Sequence, residues 1–115
     1  MNREHVTQIF QMFSGESVNE GWSAVVELAC TETEAMLKDG AEDTDVRLEY
    51  LAASIANYKL QLIHAGSAKS DYNYLGKVRS DSESPALKYA RSMMKDYYEL
   101  CADLIEPQTF IFEGI

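Results

Sequence analysis

The side chains of this 115-residue chain that could do chemistry are two histidines, two cysteines and one run of carboxylates. Glu27 and Glu34 fall seven positions apart, on one face of a helix, and with Glu32 at the edge they could share a metal cation. Metal sites in helical bundles need further inward-facing ligands, and the Glu-x-x-His spacing that supplies them occurs nowhere. The expected reading is therefore a solvated acidic face. His5 and His64 stand too far apart in sequence for most metal or nucleophile schemes. His64 is expected to serve a helix C-terminus, where an imidazolium suits the dipole. Asn57 and Gln61, one turn apart, are expected to make a structural polar contact. Gly-x-Ser-x-Gly, Gly-x-Gly-x-x-Gly and the phosphate-cradling Gly-x-x-x-x-Gly-Lys-Ser/Thr are absent. Nothing assembles a nucleophile, a base and an orienting group, so the chain reads as a non-enzyme with no cofactor and no metal.

Cys30 and Cys101 sit in helix-like apolar patterns with no Cys-x-x-Cys pair, which excludes a zinc ribbon and predicts two buried free thiols. Nineteen acidic against ten basic residues leave a formal charge of −9. That charge repels phosphate backbones and anionic membrane surfaces alike. No run reaches the ~18 apolar residues of a membrane helix, and the start, Met1-Asn2-Arg3-Glu4-His5, does not read as a secretory signal. The chain reads as soluble and intracellular.

The elements that must position these groups read as a single helical domain spanning 1–115. Val6, Ile9, Phe10 and Phe13 form one apolar stripe and predict a helix over 3–13, stopped by Ser14-Gly15. Ser17 and Glu20 have capping-box spacing and open a second helix over 18–38, ended by Asp39-Gly40. The third, over 44–65, is capped by Asp43 or Thr44, is apolar around most of its circumference, and is placed at the bundle centre with Gly66 as its stop. Residues 66–84 break the helical pattern and read as a long loop or a short β-hairpin arm. Ser84-Pro85 starts the last helix, over 85–106, closed by Glu106-Pro107. The tail 107–115 is apolar and β-prone. The fold class is all-α: a small four-helix bundle with an arm between helices 3 and 4 and an extended C-terminal tail.

Two features point to contact with other chains. Residues 16–49 hold ten acidic and two basic side chains, a one-sign segment that is either a solvated flank or a face turned to a cavity or basic partner. Phe110, Phe112 and Ile115 follow the last helix, to be buried on this chain's own core or against a neighbour. Tyr72 and Tyr74 of the arm are interface candidates, with Lys77 and Arg79 beside them, whereas Tyr97 and Tyr98 are assigned to the core.

The run Asp45-Val-Arg-Leu-Glu-Tyr-Leu-Ala-Ala-Ser-Ile-Ala-Asn-Tyr-Lys-Leu, the loop ending Ser-Glu-Ser-Pro, the Ala-Arg-Ser-Met-Met helix and the terminal Leu-Ile-Glu-Pro-Gln-Thr-Phe-Ile-Phe-Glu-Gly-Ile are similar to those of small head–tail connector proteins of tailed bacteriophages and prophages. The likeness covers most of 43–115, with Arg-Leu-x-Tyr-Leu-Ala-Ala at its centre. It implies a head-completion adaptor that forms a homo-oligomeric ring between the portal and tail-side proteins, in the host cytoplasm and then the virion, with DNA only as passing cargo. It also implies that the arm and tail reach neighbours, and that Glu27, Glu32 and Glu34 face the channel. The competing expectation is a small cytoplasmic helical adaptor or regulator that binds a single protein partner.

Overall fold

The computed structural model describes residues 1–17, 20–74 and 84–107, with side chains for all of these except 20 and 67–74. The described residues form four helices: α1 (Arg3–Ser14), α2 (Glu20–Ala35), α3 (Val46–Tyr74) and α4 (Pro85–Leu100). The all-α bundle read from the sequence is the observed fold. α3 is its axis, with α1, α2 and α4 each packed against it and α1 also against α2.

Local chemistry sets several of the helix ends. Asn2 caps α1, its side-chain oxygen accepting from the His5 N–H at 3.1 Å. Gly15 closes α1 in the left-handed region at φ 74°, its N–H donating to the Gln11 carbonyl at 2.8 Å. Ser84 caps α4 by accepting from the Leu87 N–H at 3.1 Å, with Pro85 at the first helical position. α3 starts from Asp45, whose carboxylate accepts from the Arg47 N–H at 3.0 Å. That corrects the expected cap at Asp43 or Thr44, since the Thr44 hydroxyl donates instead to Glu42.

Three helix ends depart from the expected ones. α2 stops at Ala35 and not at 38. Its last turn carries Glu32 and Glu34 and no base, which opposes the helix dipole. Met36–Lys38 then pair antiparallel with Leu104–Glu106, through Lys38 N–H to Leu104 O (3.0 Å) and Glu106 N–H to Met36 O (2.8 Å). The same pairing draws the chain out of α4 after Leu100 and not after 106. Gly40 is left-handed at φ 84°, but in the loop beyond that pairing rather than at the helix stop.

The largest correction concerns α3, which passes through Gly66 and continues to Tyr74. Glycine inside a helix costs only about 1 kcal/mol relative to alanine, too little to end a helix whose neighbours are tolerant of it. Residues 66–74 of the expected arm are therefore helical, and 75–83 lie outside the described residues. The Ser17–Glu20 capping box and the tail 108–115 also fall there in whole or in part.

The core is a stack of small and branched side chains around α3. Seven consecutive residues, 51–57, are buried, which places every side of that helix segment against a neighbour. Val6 and Phe10 of α1, Val26, Ala29 and Cys30 of α2, and Met94, Tyr98 and Cys101 at α4 fill the surrounding layer. Cys30 and Cys101 are both free and buried, as expected, and burial pushes each thiol up to about 11. None of the described helices is long and apolar enough to cross a membrane.

Candidate functional site

Glu27 and Glu34 do share a cation, and it belongs to this chain. α1 carries Arg3 to the flank of α2, where its Nε lies 3.1 Å from Glu27 Oε2 and its Nη2 3.0 Å from Glu34 Oε1. Two further guanidinium bonds complete a fork to each carboxylate. Hydrogen bonding from Arg3 holds the Glu34 carboxyl below the usual carboxylate range, and the two acids together raise Arg3. Glu32 turns to α3 instead, its Oε1 accepting from Lys59 Nζ at 3.0 Å. The three acids thus divide between two cations on two sides of α2. Among the described residues no three His, Cys, Asp or Glu side chains converge as metal ligands.

The histidines have partners that the sequence did not suggest. His5 Nδ1 meets Glu49 Oε1, and the Asn2 N–H donates to the other carboxylate oxygen at 3.2 Å. Glu49 is buried in the first turn of α3, so these two contacts satisfy a carboxylate that would otherwise be costly. A charged residue interrupting the apolar run of α3 was the available signal, but nothing local names its partner 44 positions away. His64 does not serve a helix C-terminus, because α3 runs on to Tyr74. Its Nε2 lies 3.6 Å from Glu16 Oε1, and its ring stands edge-on to Trp22 with centroids 5.9 Å apart. Gln61 Nε2 donates to Asn57 Oδ1 at 3.3 Å, the polar contact expected there.

Arg47 ties the start of α3 to the end of α4. Its guanidinium bonds Asp45 and Asp103 and donates at 3.0 Å to the carbonyl of Leu100, one of the helix-end carbonyls that lack an intrahelical partner. Both carboxyls are held below their usual range by these hydrogen bonds. The contacts of Arg3, His5 and Lys59 each join two helices.

Leu62 and Ile63 are half-exposed on the part of α3 that extends past Leu60, its last buried residue among those described. Tyr72 and Tyr74 lie in the final turn of α3, with side chains outside the description. Lys77, Arg79, Phe110, Phe112 and Ile115 lie outside the described residues. Tyr98 is in the core as expected. Tyr97 is only half-buried, and it stacks with Phe13 and Tyr50 at centroid distances of 5.9 Å each.

No protein-family model, curated protein or solved structure matches this chain.

Proposed function

We propose that this chain is a head–tail connector subunit of a tailed bacteriophage or prophage, a structural protein that joins copies of itself into a ring between portal and tail. The observation that carries the reading is the overhang of α3. Beyond Leu60 the helix continues through 61–74, about 20 Å at 1.5 Å per residue, with Leu62 and Ile63 half-exposed on its first turns. A closed ring of identical subunits needs two different patches that meet head to tail, and a projecting helix against the flank of the next bundle satisfies that requirement. The likeness of 43–115 to connector proteins adds to this support. DNA passes through such a collar as cargo, and a chain of net charge −9 does not hold it.

The test is native mass by light scattering over a range of concentrations, with and without a portal protein, on the full chain and on a form ending at Pro107. Closed higher oligomers, or binding that requires the portal and weakens on truncation, support the connector. A concentration-independent monomer that ignores the portal overturns it.

One observation favours the second reading, an adaptor for a single protein partner. Glu27, Glu32 and Glu34 are each held by a cation of the same chain, which subtracts from the acidic face that would line a channel. An adaptor has no need of that lining.

A further inference from the structure

α2 packs against α1 and α3, and its outward face carries no charge between Gly21 and Ala35. Ala24, Leu28, Thr31 and Ala35 recur there at i, i+4, i+7 and i+11, all exposed, with Leu28 at 51%. The Thr31 hydroxyl donates to the Glu27 carbonyl at 3.0 Å, so its polar group is satisfied within the helix. The charged side chains of α2 are Glu20, Glu27, Glu32 and Glu34. Glu20 stands at the N-terminal end of the outward line. Glu27 and Glu34 border it on one flank, where Arg3 holds both, and Glu32 borders it on the other, held by Lys59. The acids along the face are thus engaged by this chain's own cations, and what the face offers is apolar surface around Leu28.

The chain leaves the described fold at the end of this face. Leu37 and Ile105 bridge antiparallel, and the Glu106 N–H donates to the Met36 carbonyl at 2.8 Å. That pairing aims residues 105–107 back toward Ala35, the last residue of α2. The segment that follows, 108–115, is Gln-Thr-Phe-Ile-Phe-Glu-Gly-Ile, with four large apolar side chains and one charge. From Met36 back to Leu28 the helix axis covers about 12 Å at 1.5 Å per residue, and to Ala24 about 18 Å. From Glu106 an extended chain covers about 13 Å to Phe110 and about 20 Å to Phe112 at 3.3 Å per residue. Extended residues two apart share a face, so both rings reach the levels of Leu28 and Ala24 on the same side.

We infer that the segment 108–115 lies back along the outward face of α2 of its own chain, with Phe110 over Leu28 and Phe112 over Ala24. The small side chains at 24 and 35 leave room on either side of Leu28 for aromatic rings, which gain from covering apolar surface. Tethering selects the chain's own α2 over that of a second copy: a short linker gives an effective concentration of about millimolar or more, above that of free chains in dilute solution. The inference concerns the free chain and does not rest on the connector reading. A failure of assembly in light scattering would leave these contacts in place.

The experiment is nuclear Overhauser spectroscopy on the full chain with labelled methyl groups and aromatic rings. The expected result is a set of ring-to-methyl contacts from Phe110 and Phe112 to Leu28 and Ala24, unchanged on dilution. In an equal mixture of labelled and unlabelled chain, isotope-filtered spectra should show none of these contacts between molecules. Leu28→Ser, at a half-exposed position, should abolish them and move the amide shifts of 110–115 to random-coil values, with those of α3 and α4 kept. If that variant does not fold, Phe110→Ser with Phe112→Ser should shift the Leu28 and Ala24 methyl resonances instead. Random-coil shifts for 108–115 in the native chain, ring contacts on another face, or shifts of 110–115 that ignore Leu28→Ser overturn the inference. So do contacts between molecules in the filtered spectra, which would make the occupant a second copy.

Discussion

α3 contains two regions that one continuous helix joins and the tertiary structure treats in opposite ways. Its first half, 46–60, is surrounded: residues 51–57 are all buried, and α1, α2 and α4 converge there. Its second half, 61–74, keeps the backbone geometry but exposes Leu62, Ile63 and His64. The second stretch is also the less apolar, with six such residues in 14 against ten in 15. Burial depends on where the neighbouring helices end, and α4 starts only at Pro85 across from the overhang. The first half holds the fold together, and the second leaves Leu62 and Ile63 half-exposed.

The largest effect that can break this comparison is expected at Leu51, which is fully buried. Leu51→Ala should cost about 2–5 kcal/mol in denaturant unfolding through lost contacts and the cavity left behind. A cost below about 1 kcal/mol would mean that the first half is not the packed one. Next in size is the cap of α4: Ser84→Ala should destabilise by about 1 kcal/mol, read as a shift of the urea midpoint at unchanged slope.

Gly66 sharpens the boundary itself. A Cβ built there meets nothing within 4 Å, and the residue is not among those with positive φ. Gly66→Ala should therefore stabilise the chain by about 0.5–1 kcal/mol and raise its helical circular dichroism. Destabilisation would return Gly66 to the role of a helix stop and shorten α3 to the length read from sequence. In the overhang, Ile63→Ser should change stability by no more than about 0.5 kcal/mol, as at other exposed positions. Its effect should appear in native mass, where any self-association weakens.

Acid titration probes the other end of α3. Asp45 and Asp103 are both held below the ordinary carboxylate range by Arg47, and Glu34 by Arg3. A depressed carboxyl contributes stability that is present above its unfolded value, near pH 4, and is lost as pH falls through its lower folded value. Unfolding midpoints measured downward from pH 5 should fall more steeply for the native chain than for Arg47→Met. Parallel curves would show that the Arg47 cluster adds no pH-dependent stability.

The features legible in the sequence were those whose cause lies within a few residues. Ser84-Pro85 and Gly15 act on N–H and carbonyl groups one turn away, so their residue types suffice to predict them. The stripe Val6, Ile9 and Phe10 and the nearly continuous apolar run of α3 identified the core faces for the same reason. The local pattern through Leu104 is helical, so sequence alone extends α4 past its end at Leu100. The pairing of Met36–Lys38 with Leu104–Glu106 overrides it, and that pairing joins segments distant in sequence.

The acidic site illustrates the same limit. The spacing of Glu27 and Glu34 correctly put them on one face able to share a cation, but the cation is Arg3, 24 positions before Glu27. The contacts of His5 with Glu49 and of Arg47 with Asp103 span 44 and 56 positions. Sequence by itself determined that this chain is a helical bundle with α3 at its centre, because helix periodicity and capping are local interactions. Only the tertiary structure decided which charges are paired and where the buried segment of α3 ends. Those outcomes depend on how helices dock, and docking brings together residues that no local spacing connects.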